Sequence, residues 1–147
     1  MAKKRSERLL ALLKLAHMRE DSAARQLANS TDKLQQARQQ SQQLATYSDE
    51  YQQQFQQRTQ QAVSVRDLRN FQGFFRQLDS VQVQQQALIE QRNREREQAR
   101  LQWLQLYHRR RVLDEIRERS KAQEEAARER KLQSEFDDRA ARNHHRK

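Results

Sequence analysis

The 147-residue chain is strongly charged and poor in the residues that build a compact globular core. Hydrophobic and charged residues each make up 34% of it, whereas about half of an average globular domain is apolar. There is one glycine and no proline, so almost nothing interrupts a helix, and the abundant Gln, Arg, Ala, Leu and Glu are good helix formers. The composition excludes a β-rich fold. It leaves a coiled coil, a disordered polar chain or an isolated charged helix.

Residues suited to catalysis or metal binding are scarce. The absence of cysteine excludes a disulfide framework, a thiolate metal site and a thiol nucleophile. The histidines His17, His108, His144 and His145 lack the spacing of metal ligands, and the sequence has no glycine-rich phosphate loop and no nucleophile elbow. We therefore expect no enzyme activity, no catalytic, cofactor-binding or metal-binding residue, no cofactor and no small-molecule substrate.

The N-terminal segment superficially resembles a secretory signal, because a basic stretch over residues 3–8 precedes LLALLKLA. Lys14 interrupts this apolar run, however, and no small-x-small cleavage site follows it. The run is also much shorter than the roughly 20 residues that span a bilayer. We expect the first turns of a core-facing helix and a cytoplasmic protein.

The formal net charge of +10 is compatible with nucleic acid, an anionic membrane surface or an acidic protein as partner. The basic residues are spread along the chain, with concentrations over residues 3–8, 109–111 and 142–147. Such a distribution is more typical of a solvated helix face than of a nucleic-acid-binding stripe, so we favour the solvated face over a nucleic-acid partner.

A repeat of alternating three- and four-residue spacing begins at Leu9 and continues to Phe55. Its period of about 3.5 residues is that of a left-handed coiled coil. The residues of this repeat form the seam, the stripe that faces the other helix. Several of them are small or polar, so the seam buries little apolar surface, and Leu12 and Leu15 widen the apolar stripe at its start. The seam positions are Leu9, Leu13, Ala16, Glu20, Ala23, Leu27, Ser30, Leu34, Ala37, Ser41, Leu44, Ser48, Tyr51 and Phe55.

A similar repeat follows in the second half of the chain. A neighbouring register through Phe74, Val81, Leu88 and Ile116 is nearly as good, so the stripe is broad at both ends. Residues 92–100 offer almost nothing to bury, which predicts local opening there. The seam positions are Phe71, Phe75, Leu78, Gln82, Gln85, Ile89, Arg92, Arg96, Ala99, Trp103, Leu106, Arg110 and Leu113.

Between the two repeats, Ser64 and Asp67 match the pattern of a helix N-cap with an acidic residue three positions later. Aromatic and apolar residues concentrate on both sides of this reversal, at Leu44, Tyr47, Tyr51, Phe55, Leu68, Phe71, Phe74, Phe75 and Leu78. Two interpretations stay open for them: they lock the end of a hairpin, or they form an exposed docking patch. Both can hold for different residues.

These patterns predict an all-α fold, a long antiparallel two-helix coiled coil with a fraying basic C-terminal tail. Arms of about 55 residues give a rod of roughly 80 Å. Beyond about residue 122 the second helix has no partner, and only pairs at i,i+4 such as Glu124 with Arg128 support it. We expect a single helical-hairpin domain over 1–147, with a first helix over about 6–61, a turn over about 62–65, a second helix over about 65–135 and a tail over about 136–147.

In order and spacing, several segments resemble the FliJ family, the small coiled-coil component of the bacterial flagellar type III export apparatus. The resemblance covers most of the chain, and over about the last 25 residues it lies only in general character. It rests on LLALLKLA followed by Ala23-Ala24-Arg25, on LATYSDEY, on NFQGFFRQL, and on Trp103, Arg109, Ile116, Glu118 and Arg119.

The resemblance implies an antiparallel two-helix coiled coil similar to that in the rotor subunit of F-type ATP synthases. It implies a protein peripheral to the inner membrane at the flagellar base, with its terminal end docked in the hexameric export ATPase. It also implies contacts with the cytoplasmic domain of the export gate and with export chaperones. The gate-contacting surface, carried over by position, comprises Gln40, Leu44, Tyr47, Tyr51, Phe74, Leu78 and Val81. Val81 and Gln85 depart from the family's pattern.

Two alternative functions stay open at the level of sequence. A basic coiled-coil adaptor that binds nucleic acid predicts an affinity that falls steeply with salt. The equivalent stalk protein of an injectisome-type secretion system has the same architecture. The pattern over Tyr47–Tyr51 and Asn70–Phe74 favours the flagellar version.

Overall fold

The computed structural model describes residues 3–146, which form two long α-helices joined by a short turn and include no strand. α1 spans Arg5–Thr59 and α2 spans Val65–His145. The predicted all-α helical hairpin is confirmed. The near absence of glycine and proline explains helices of this length, because neither helix meets a residue that breaks its backbone hydrogen bonds.

The helix ends differ from those expected. α1 ends at Thr59 rather than near residue 61, and α2 continues to His145 rather than ending near residue 135. Basic residues in the last turn of α2 lie where the negative end of the helix dipole stabilises a cation, which favours the longer helix. Lys147, the end of the expected tail, lies outside the described residues. Fraying of the tail concerns its motion and stays a prediction.

The start of α2 is capped as its sequence indicates. The backbone N–H of Asp67 donates to Ser64 Oγ at 3.2 Å, and the N–H of Leu68 donates to the Ser64 carbonyl at 3.1 Å. The side chain of Ser64 therefore satisfies one of the amide groups left unpaired at a helix start. At the other side of the turn, the N–H of Gln61 donates to the Arg58 carbonyl at 3.0 Å and closes the end of α1.

The chain divides into two compact units, each built from both helices. The terminal unit contains the residues up to Ser22 and those from Leu104 onward, and the turn unit contains Ala23–Trp103. In the terminal unit Ser6 contacts Glu124 and Glu20 contacts Arg110, and in the turn unit Ala37 contacts Gln85 and Phe55 contacts Phe71. Within each unit later residues of α1 contact earlier residues of α2, so the helices run antiparallel. The expectation of one single domain stays a prediction.

Every predicted seam position is buried or half-buried. The most buried apolar side chains are few, and several are small, so each contributes little apolar area. The seam is thin, as its composition predicts. The buried apolar residues are Leu13, Ala16, Ala23, Leu34, Ala37, Phe71 and Leu78.

A half-buried ion pair joins the two helices in the terminal unit. The Arg110 guanidinium donates from Nε and Nη2 to the carboxylate of Glu20, and from Nη1 to Asp114 Oδ2 at 2.8 Å. The hydrogen bonds that Arg110 donates to Glu20 chiefly raise the pKa of Arg110 against the opposing effect of burial. Glu20 and Arg110 both occupy seam positions, so this pair specifies the register of the helices where a leucine pair does not.

A second polar contact extends the paired part of α2 to Glu124, slightly beyond the expected limit of about residue 122. Ser6 donates from its backbone N–H to Glu124 Oε1 at 3.1 Å and from Oγ to Glu124 Oε2 at 2.6 Å. These hydrogen bonds lower the pKa of the Glu124 carboxyl. Glu124 thus serves as the N-terminal cap of α1 from the facing helix, while Arg128 pairs with Glu125 instead.

Arginine stems cover the seam of the turn unit where apolar residues are missing. Arg92 and Arg96 are half-buried, although residues 92–100 carry almost no apolar side chain. Their long aliphatic stems bury apolar surface that the missing apolar side chains leave open. Arg92 pairs with Glu95 at 3.0 Å and Arg100 pairs with Glu97 at 2.7 Å, so two of these arginines are neutralised within α2 itself.

Candidate docking surface near the turn

Six aromatic rings from both helices meet in the turn unit and form what we call the ring cluster. Its members are Tyr47, Tyr51, Phe55, Phe71, Phe74 and Phe75. The ring of Tyr51 is central, with its centroid 4.2 Å from that of Phe74, 5.3 Å from Phe71 and 5.2 Å from Phe75. These tilted and edge-to-face arrangements are the favoured geometries of aromatic pairs.

The inner rings stabilise the hairpin. Phe71 is buried, and the Phe55 ring lies 5.0 Å from it across the interface between the helices. The Arg58 guanidinium lies over the Phe71 ring, 5.8 Å from its centroid, and covers its outer side. Helical spacing places these residues on facing stripes of α1 and α2, which is why they converge. The hairpin-locking interpretation therefore accounts for Phe55 and Phe71.

The outer edge of the ring cluster remains accessible to solvent. The Tyr47 ring lies edge-on to Phe74, at 6.1 Å between centroids, and half of the surface of Tyr47 is exposed. Val81, further along α2, is 41% exposed. Exposed aromatic and aliphatic side chains beside a rigid, packed cluster are typical of protein interaction sites.

All seven residues predicted to contact the export gate lie in the turn unit, and we call them together the turn patch: Gln40, Leu44, Tyr47, Tyr51, Phe74, Leu78 and Val81. The first four occupy one face of α1, and the last three occupy one face of α2. Leu44, Tyr51 and Phe74 are half-buried, Gln40 is exposed, and Leu78 is only 6% exposed. The Leu78 side chain thus belongs mainly to the seam between the helices.

A polar contact at the edge of the turn patch was not predicted from the sequence. Gln85 Nε2 donates to the Ala37 carbonyl at 2.8 Å and to Gln40 Oε1 at 3.3 Å. Gln85 thereby joins α2 to the backbone of α1 and holds the Gln40 side chain. The seam repeat placed Gln85 toward α1, but its partner depends on the register between helices, which one helix's pattern does not contain.

The described residues contain neither a group of side chains placed to bind a metal ion nor a membrane-spanning helix. Among residues 3–146, no group of three or more His, Asp or Glu side chains is placed to hold a metal ion. Within the same range, no helix is long and apolar enough to cross a membrane.

Comparison with known proteins identifies the family. The family described as flagellar FliJ protein matches residues 5–147, nearly the whole chain. Searches of curated proteins and of solved structures each gave no match. The family match agrees with the resemblance carried by LATYSDEY and NFQGFFRQL, and it confirms that prediction. Members of the family are non-catalytic components of flagellar export. The chain belongs to the flagellar FliJ protein family.

Proposed function

We propose that this protein couples the flagellar export ATPase ring to the export gate without catalysing a reaction itself. Family membership supports the role in flagellar export. The observation that supports the gate contact is the exposure of Tyr47, which packs against the ring cluster through Phe74, and of Val81 on the same turn patch. The two units give one chain two separate surfaces, one for each partner.

The gate contact is assigned to the turn patch. Tyr51 and Phe74, whose centroids lie 4.2 Å apart, form a rigid apolar floor. Tyr47 packs edge-on against Phe74 and is 50% exposed, and Val81, two turns further along the same face of α2, is 41% exposed. A partner that covers them gains apolar burial with little ordering cost, because the underlying rings are already fixed. The hydroxyl group of Tyr47 adds a polar handle for orientation.

The ATPase contact is assigned to the terminal unit. This unit has 19 basic and 12 acidic residues, a net charge of +7, whereas the turn unit has 11 basic and 8 acidic residues, a net charge of +3. Most of the excess charge therefore lies in the part that the resemblance places inside the ATPase ring. A positively charged unit is suited to an acidic ring lumen, since complementary charge accelerates and orients docking.

The resemblance to the family supports two further parts of the proposal. The protein contacts export chaperones and helps to cycle them, and it acts in the cytoplasm at the inner-membrane base of the flagellum. Both are what the resemblance to the family implies. Assignment to the flagellar family also makes the injectisome alternative less suitable for this chain.

The gate assignment is tested by isothermal titration of the purified cytoplasmic domain of the export gate into the wild type and into Tyr47→Ala. We expect the substitution to weaken binding by about tenfold or more, as at an aromatic interface hot spot. Tyr47 is a better choice than Phe74, because Phe74 also packs against Tyr51 and its removal disturbs the hairpin.

A matched pair of valines serves as the control. Val81→Ser should weaken gate binding, whereas Val83→Ser, at a position that is 71% exposed and outside the turn patch, should leave it unchanged. All variants must retain wild-type helicity by circular dichroism. Equal gate affinity for the wild type, Tyr47→Ala and Val81→Ser would show that the turn patch is not the gate-binding surface.

A further inference from the structure

A second apolar surface lies in the terminal unit, outside the turn patch. A groove of about 190 Å³ runs between α1 and α2, and we call it the terminal groove. Its floor is the buried Ala16, and Leu12 and Leu15 on its edge are 53% and 43% exposed. The residues that line it are Leu12, Leu15, Ala16, Arg19, Leu106, Arg109 and Leu113.

The charged residues of the terminal groove are all basic. Arg19 lies on the α1 side and Arg109 on the α2 side, and no acidic residue lines the groove. Neither arginine forms a salt bridge with any of residues 3–146, whereas the neighbouring Arg110 is bound by Glu20 and Asp114. The groove thus presents two free guanidinium groups beside exposed leucines.

We propose that the terminal groove binds an amphipathic helix of another protein, one that has acidic residues on both sides of its apolar stripe. A groove between two packed helices accepts a third helix, whose apolar side chains at i, i+3, i+4 and i+7 enter it. Leu12 to Arg19 covers about two helical turns, so the contact needs about two turns of the incoming helix. The flanking carboxylates pair with Arg19 on one side and Arg109 on the other.

A second copy of this chain does not fit the groove in a symmetric pair. A two-fold interface places the same patch of each copy against the other, and here it brings Arg19 and Arg109 near their own counterparts. Repulsion between like charges at an apolar interface opposes this pairing. The charge of the groove therefore selects an acidic partner rather than self-association.

The test uses isotope-labelled full-length protein and a designed peptide of about 18 residues, long enough to form a helix. The peptide has leucines along one face and glutamates on both flanks, and its twin has lysine in place of every glutamate. Titration followed by NMR reports weak binding and locates it. We expect shifts confined to the terminal groove with the glutamate peptide and none with the lysine peptide.

Charge reversal makes the expectation specific. The double variant Arg19→Glu with Arg109→Glu should no longer bind the glutamate peptide and should bind the lysine peptide instead. Leu12→Ser should lower the affinity for the glutamate peptide about five- to tenfold, because the peptide buries the exposed half of the Leu12 side chain in the wild type. Val112→Ser, also 53% exposed in the wild type but outside the groove, should not change the affinity.

Two results overturn the proposal. One is binding of the glutamate peptide that is unchanged by Leu12→Ser or by the charge reversal, which indicates general attraction to a basic chain. The other is a wild-type dimer in analytical ultracentrifugation that Leu12→Ser converts to a monomer, which makes a second copy the occupant. The test contains neither export ATPase nor export gate, so its outcome is separate from that of the coupling proposal.

Discussion

The ion pair between Glu20 and Arg110 gives the most specific prediction about stability. It lies in the thin seam of the terminal unit, with 13% of the Glu20 side chain and 19% of the Arg110 side chain exposed. Arg110→Leu leaves the Glu20 carboxylate half-buried without its cation. Breaking a fully buried pair costs about 3–5 kcal/mol, and partial contact with water reduces this to about 2 kcal/mol here.

Removing both charges has the opposite outcome. In the double variant Glu20→Leu with Arg110→Leu, two leucines occupy facing seam positions and no charge is desolvated. Replacing a buried ion pair by packed apolar residues is often neutral or stabilising, so we expect the double variant to lie within about 1 kcal/mol of the wild type or above it. The coupling between the two positions should then be about 2 kcal/mol.

Urea unfolding followed by far-UV circular dichroism measures all members of this double-mutant cycle. Arg100→Leu is the control, because the Arg100–Glu97 pair is nearly half exposed on both sides and solvent screening leaves it little effect on stability. A coupling below about 0.5 kcal/mol between Glu20 and Arg110 would refute the reasoning, since it would mean that the two side chains do not meet in solution.

Three further predictions concern other parts of the hairpin. Phe71→Ala should reduce the free energy of unfolding by about 3 kcal/mol, because it removes the buried ring of the cluster, and Phe136→Ala at a 69% exposed position is its control in urea unfolding. Gly73→Ala should raise stability by about 1 kcal/mol, since a helix-interior glycine is replaced and nothing lies within 4 Å of the added Cβ; a lower thermal midpoint would contradict this. Glu124 has a lowered pKa in the folded chain, so its contribution to stability is present above its ordinary value of 4.5 and is lost as the pH falls through the folded pKa. In thermal melts across this range, Ser6→Ala should be less stable than the wild type at neutral pH and the difference should shrink in acid, whereas a constant difference would show that the bond to Glu124 does not titrate.

Much of the fold was predictable from the sequence because the scarcity of helix-breaking residues and the spacing of apolar residues decide it. With one glycine and no proline, the chain has few places to leave a helix, and the three-four spacing then assigns the inward face. Every seam position from Leu9 to Leu113 was therefore placed correctly as buried or half-buried. The Ser64 cap was predictable for a similar reason, since it depends only on residues within one turn.

Contacts between the helices were harder to predict. The periodicity placed Glu20 and Arg110 in the seam. The pattern of a single helix does not fix the register between α1 and α2, so it did not show that these two residues would pair. For the same reason the Ser6–Glu124 contact was missed, and Glu124 was assigned to Arg128 on its own helix. A one-turn change of register exchanges such partners without altering either apolar stripe.

The candidate site was predictable in its location and only partly in its detail. The aromatic spacing before and after Ser64 indicated that the rings would meet near the turn. Which of them lock the hairpin and which face solvent depends on packing, and the structure separates the buried Phe71 and Leu78 from the exposed Tyr47 and Val81. The direct gate contact of each turn-patch residue stays a prediction.

The most direct test of the coupling account is the affinity of the protein for the cytoplasmic domain of the export gate, measured with and without a saturating amount of export ATPase. Separate surfaces on the two units predict that the ATPase leaves gate affinity unchanged and that all three proteins sediment as one complex. Displacement of the gate domain by the ATPase would mean that both partners use the same surface, and it would contradict the two-surface account.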